Sequence, residues 1–243
     1  MLEEKSYGTR CRKINYWVSK EGSSNLTLIL LPGISMSHHM FKNQLEYFEG
    51  KYNIMTWDAP ANASSYPFNL NFDLKDKAIW LDEIITSEGL PNPIIIGHSM
   101  GGFVSLSSSP IQKKYCTGME LFSNKWVLGS LMYLTKWMSW ESIVNSGIEN
   151  YGFTEESKEI MQIDIMTYLL NSTKINNEAI ETDLPCEFKC PDKTSYIMQK
   201  NKSWSEDCSF KLEILENTGH LSPSDNPEKI NSLIENFVKT IKV

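Results

Sequence analysis

The sequence predicts an α/β fold: a mostly parallel sheet flanked by helices. Three observations carry this reading. Three short apolar runs, "NLTLILLPG" (25–33), "YNIMTWDAP" (52–60) and "PIIIGHS" (93–99), each end in a turn or loop. Two amphipathic stretches separate them, so the pattern is βαβαβ, which calls for parallel strands buried on both faces. A polar, alternating segment precedes them and an amphipathic helix closes the chain.

Each element has a local reason. "GTRCRKINYWVSKEG" alternates polar and apolar residues, as an antiparallel strand or hairpin at a sheet edge does. In "SHHMFKNQLEYF", Met40, Phe41, Leu45 and Phe48 recur at helical spacing. Asp73 is placed to cap the next helix, Leu74, Ala78, Leu81, Ile84 and Ile85 form its apolar face, and Gly89 ends it. After the third strand, "FVSLSSSPIQKKY" is serine-rich and meets Pro110, which predicts a short helix. "GMELF" (118–122) is the next strand expected. From 124 to 178 the chain reads as a helical cap inserted into a single domain spanning 1–243, with Tyr133, Trp137 and Trp140 on one side of a helix. "CEFKC" (186–190) and "FKLEI" (210–214) restore strand character. Asn226–Pro227 begins the last helix, whose buried face is Ile230, Leu233, Ile234, Phe237, Val238 and Ile241.

Composition narrows the function classes. The chain has 243 residues, 41% of them hydrophobic, and a net charge of −7. No Lys/Arg cluster has the density of a nucleic-acid binder. No apolar run is long enough to span a bilayer, and "MLEEKSYGTR" lacks the apolar core of a signal peptide, so a cytoplasmic setting is expected. Five cysteines, an odd number in a chain this long, argue against a disulfide framework. There is no P-loop, no G-x-G-x-x-G and no zinc spacing, so neither cofactor nor metal is expected.

Gly97-His98-Ser99-Met100-Gly101 is a G-x-S-x-G pattern. Chance alone places one in roughly one chain in ten of this length, so context must decide. Ser99 falls at a strand-to-helix junction, where the hydroxyl stands above the C-terminal edge of the sheet. A serine hydroxyl is a weak nucleophile and needs a base. Of four histidines, His98 lies inside the motif and His38 and His39 in the first helix region. His220 follows the last strand, at the edge where Ser99 lies, and is the candidate base. Asp192, in "KCPDKTS", is the candidate acid that orients it, with Asp207 the weaker rival. Two backbone amides can hold an oxyanion: that of Met100, after the nucleophile, and that of Ile34, in "LPGISMS" after the first parallel strand.

Taken together, "LPGISMSHHMF", "WDAPANASSYPF", "IIIGHSMGG" and "NTGHLSPSDNPEKINSLIENFV" resemble the α/β-hydrolase superfamily, in its cap-bearing lipase, esterase and peptidase-like branch. The resemblance runs over nearly the whole chain. It implies a Ser-His-Asp hydrolase acting through an acyl-enzyme on a small ester, thioester or amide; the Trp- and Met-rich stretch of the cap points to a partly apolar substrate, with the cap's own core as the alternative use of those side chains. Asp58 then belongs to a structural loop, and Asn62 stands where the family usually has His. A degenerate, non-catalytic binding protein on the same fold is the competing expectation.

Overall fold

A computed structural model describes residues 2–34, 36–69, 71–107, 114–117, 154–156, 158–160, 215, 218–219 and 221–241. Among these are six strands: β1 (Glu3–Gly8), β2 (Lys13–Ser19), β3 (Thr27–Leu31), β4 (Asn53–Trp57), β5 (Pro93–His98) and β6 (Lys114–Thr117). They form one sheet in the order β1-β2-β4-β3-β5-β6. β1 and β2 make an antiparallel hairpin, and β2 also runs antiparallel to β4. The remaining pairs, β3 with β4, β3 with β5 and β5 with β6, are parallel. The alternating N-terminal segment is therefore the antiparallel edge its pattern predicts, and the three apolar runs are the parallel centre.

Two apolar layers cover the sheet. Successive side chains on a strand point to opposite faces. Ile29 and Leu31 of β3, Met55 and Trp57 of β4, and Ile95 of β5 join one layer. Leu28, Leu30, Ile54, Ile94 and Ile96 join the other. The first layer is closed by α2 (Leu74–Glu88) and α3 (Met100–Ser107), through Trp80, Leu81, Ile84 and Val104. The second is closed by α1 (Lys42–Phe48) and the C-terminal α5 (Pro227–Lys239), through Phe48, Ile230, Ile234 and Val238. This is the expected arrangement of helices on both faces.

Helix ends follow local chemistry. Asp73 caps α2 in a reciprocal capping box with Asp76, and Gly89 closes it in the left-handed conformation at φ +61°. Asn226 and Pro227 do begin α5, but the Asn226 amide donates to Thr218 Oγ1 at 3.3 Å instead of capping the helix. α3 is described from Met100 to Ser107, and Pro110 lies outside the described residues. The strand after it lies at Lys114–Thr117, ahead of the expected 118–122, which is outside the described residues. The cap (124–178), apart from positions 154–156 and 158–160, and the strands expected at 186–190 and 210–214 also lie outside them.

Candidate active site

The site is built where β3, β4 and β5 end. β5 is buried from Ile94 to His98, and Gly97 pairs with Leu31 of β3. Ser99 follows at φ +50°, a left-handed conformation that a residue with a Cβ adopts at a cost of about 1–2 kcal/mol. Met100 begins α3 at once, and Gly102 N–H donates to the Ser99 carbonyl at 2.9 Å. Strand, reversal and helix are thus compressed into three residues, with Ser99 half-buried at the apex.

The two glycines of the pattern have separate tasks. A Cβ on Gly97 would collide with the Gly101 carbonyl and lie 2.6 Å from Gly102 N. A Cβ on Gly101 would collide with the Leu31 carbonyl and lie 2.9 Å from Leu31 Cβ. Gly97 lets the helix fold back on its own strand, and Gly101 lets it cross β3. Met100 is buried, and the Lys77 ammonium of α2 lies 3.2 Å from its sulfur.

The loop after β3 runs directly against the elbow. A Cβ on Gly33 would lie 3.1 Å from Ser99 Cβ and 3.0 Å from Nδ1 of the buried His98. The structure therefore sets Gly33, the residue before Ile34, against Ser99, the residue before Met100. His220 and Asp192 lie outside the described residues. The neighbours of His220 in the chain are held: Gly219 N–H donates to Asp225 Oδ2 at 2.9 Å, and Leu221 is buried. Asp225 ends the short helix α4 (Ser222–Asp225), and its other oxygen accepts from Thr154 N–H at 3.1 Å.

Sequence reasoning missed one pair. His38 lies in a 3₁₀ turn (His38–Phe41) after β3, and its Nδ1 is 2.9 Å from Asp58 Oδ1. A carboxylate only accepts, so Nδ1 carries the proton. The His38 backbone N–H donates to the same oxygen at 2.9 Å. Asp58 Oδ2 accepts from Ser64 N–H at 3.0 Å and Ser64 Oγ at 2.6 Å. The carboxylate is buried, with 2% of its side chain exposed. Burial acts to raise its pKa, but the bonds from His38 and Ser64 outweigh that and hold it below the usual carboxylate range. Trp17 of β2 stacks on the His38 ring at 3.6 Å. His39 is pushed below the ordinary histidine pKa by burial and by its neighbour His38. The signal was present in outline, since each residue follows a parallel strand. Only the adjacency of β3 and β4 makes them partners.

Comparison with known proteins agrees with this architecture. Residues 28–142 match the family described as the Alpha/beta hydrolase family. (E)-2-((N-methylformamido)methylene)succinate hydrolase of Acinetobacter baylyi is 29% identical over 98 residues, which are 40% of this chain and only 36% of that protein. The uncharacterized hydrolase YugF of Bacillus subtilis is 22% identical over 92% of this chain and 94% of its own length. Among solved structures, a thermophilic esterase from Thermogutta terrifontis superposes with a TM-score of 0.75 at 15% identity, covering 98% of each chain. At that identity the likeness is one of fold.

Proposed function

We propose that this chain, which has the α/β-hydrolase fold and matches the alpha/beta hydrolase family over residues 28–142, is a serine hydrolase cleaving a small, partly apolar ester, thioester or amide through an acyl-enzyme. The observation that carries this is the elbow itself. Ser99 is held at φ +50° between β5 and α3, with the Gly33 loop against it. A strained, half-buried serine facing a second loop is how a fold presents a hydroxyl to a substrate carbonyl.

In this mechanism Ser99 Oγ attacks the carbonyl carbon and its proton passes to His220. The tetrahedral oxyanion is held by the backbone N–H groups of Ile34 and Met100. Collapse expels the alcohol, thiol or amine, which takes the proton from His220. Water, activated by the same imidazole, then releases the acid and frees Ser99. Asp192 holds the tautomer of His220 and stabilises the imidazolium. Two preorganised amides matter because each donor aimed at the oxyanion contributes about 3–4 kcal/mol to the barrier reduction. Residues 124–178 form the cap over the site in this reading. Contacts of Thr154 with Asp225, and of Asn43 with Glu156, support its rooting beside α1 and the loop that carries His220.

The test is labelling with a fluorophosphonate probe together with turnover of p-nitrophenyl acetate and butyrate. Wild type is expected to label at Ser99 and turn over; Ser99→Ala abolishes both, and His220→Ala and Asp192→Ala lower both. A folded wild type that neither labels nor turns over an ester panel would replace this reading with that of a binding protein on a hydrolase fold.

A further inference from the structure

A planar trans peptide turns a hold on one residue's carbonyl into an aim for the next residue's amide, because the two groups point in opposite directions. Gly33 C=O and Ile34 N–H share one such peptide. The Gly33 carbonyl accepts from Met36 N–H at 3.4 Å and lies 3.5 Å from the Nδ2 donor of Asn62. Asn62 is buried and belongs to the loop after β4. That same loop grips the other end of the segment, where Asp58 Oδ1 takes both donors of His38.

The gripping loop is itself anchored. Ser64 closes it onto Asp58 Oδ2, and Ser65 Oγ donates to the Asp58 carbonyl at 2.7 Å. Ser65 N–H donates to the Asn62 carbonyl at 2.9 Å, and the Asn15 N–H of β2 donates to Ser65 Oγ at 2.8 Å. Trp17, also from β2, stacks on the His38 ring at an interplanar angle of 25°. Gly33 and His38 are thus both held by one loop whose footing reaches the adjacent antiparallel strand.

We propose that the Asp58–Ser65 loop is a bracket that aims the Ile34 amide at the oxyanion forming on Ser99, with His38 and Asn62 as its positioning residues. This rests on the assignment of the Ile34 amide as an oxyanion donor. Oxyanion stabilisation depends on donors already in place before charge develops, and an error of about 1 Å in a catalytic group costs up to about a hundredfold in rate. Losing the His38 ring removes one of the two bonds that its residue makes to Asp58 and leaves the backbone one. The aim is degraded, not abolished.

The experiment uses a matched pair, His38→Asn and His38→Gln. Asparagine places an amide N–H where Nδ1 stood; glutamine places it near Nε2 and leaves Asp58 Oδ1 short of a donor. Each is assayed for p-nitrophenyl acetate turnover, for affinity toward an aryl boronic acid that forms a tetrahedral adduct on serine, and for melting temperature. His38→Gln is expected to lower kcat about tenfold at a KM within about twofold, and to weaken boronate binding by the same factor. His38→Asn keeps both within about threefold of wild type. Asn62→Leu should reproduce the His38→Gln pattern. A His38→Gln variant with wild-type kcat, or one that loses melting temperature while kcat per folded molecule is unchanged, overturns the bracket and leaves the serine-hydrolase reading intact. Absence of Ser99-dependent turnover in wild type overturns both.

Discussion

Replacing Gly33 with alanine separates catalysis from folding at this site. The Gly33 backbone is outside the left-handed region, so alanine meets no conformational penalty there. Its only effect is the added methyl group. That carbon would lie 3.1 Å from Ser99 Cβ and 3.0 Å from His98 Nδ1. Carbon atoms rest at about 3.5–4.0 Å, so the shortfall is roughly half an ångström on the face that touches the nucleophile. Overpacking of this size costs about 1–3 kcal/mol if nothing moves. The contact can be relieved only by a shift of the Gly33 loop, of His98 or of Ser99, and a shift of that size at the loop or at Ser99 misplaces the nucleophile relative to the oxyanion donors. We expect kcat/KM for p-nitrophenyl butyrate to fall tenfold or more, roughly, with a fold that still melts cooperatively. Gly101→Ala is the control in the opposite sense. Its methyl group would meet the backbone of Leu31, 2.7 Å from the carbonyl carbon, in a central strand that cannot retreat. That variant should lose about 3 kcal/mol or more and fail to accumulate as folded protein. A Gly33→Ala enzyme with kcat/KM within about twofold of wild type would refute the argument that this loop abuts the reacting serine.

Three further outcomes follow from the same contacts. Glu88 accepts from Tyr16 and is paired with Lys5 and Lys20; although burial works against ionisation, these partners lower its pKa to about 2 from 4.5. A folded-state pKa below the unfolded one stabilises above the unfolded value and is lost as pH falls toward the folded value. Glu88→Gln should therefore cost about 1–2 kcal/mol at pH 7, after discounting for the half-exposed Lys20, and the difference should vanish between about pH 4.5 and pH 2 in denaturant titrations. Asp73→Ala removes the capping box of α2 and should cost about 1 kcal/mol, read as a drop of roughly 2–4 °C in melting temperature. Asp225→Ala frees the N–H groups of Gly219 and Thr154, loosening the loop that carries His220; fluorophosphonate labelling of Ser99 should slow about tenfold, and an unchanged labelling rate would show that Asp225 does not support the base.

What could be read from the chain directly is what local chemistry dictates. Consecutive apolar residues such as Leu28–Leu31 and Ile94–Ile96 need a strand covered on both faces, and both are fully buried. The spacing of Ala78, Leu81, Ile84 and Ile85 needs one apolar partner, and these side chains face one layer of the core. Asp73, Gly89 and Pro227 mark helix ends because their preferences are intrinsic. Ser99 could be singled out because its glycine-flanked pattern directly follows an apolar strand, with a Pro-Gly loop upstream and His220 near the end of the chain.

Tertiary structure decided what depends on which elements become neighbours. Nothing local makes β4 insert between β2 and β3, yet that order sets Asp58 beside His38 and Trp17 over its ring. Read along the chain, His38 is one histidine in a helical stretch and Asp58 one acid in a turn, 20 residues apart. Read in the fold, they tie two loops at the edge of the sheet where Ser99 stands. Hydrophobic pattern is written residue by residue. A hydrogen bond between loops is written only in the distance between strands that the whole sheet has to form first.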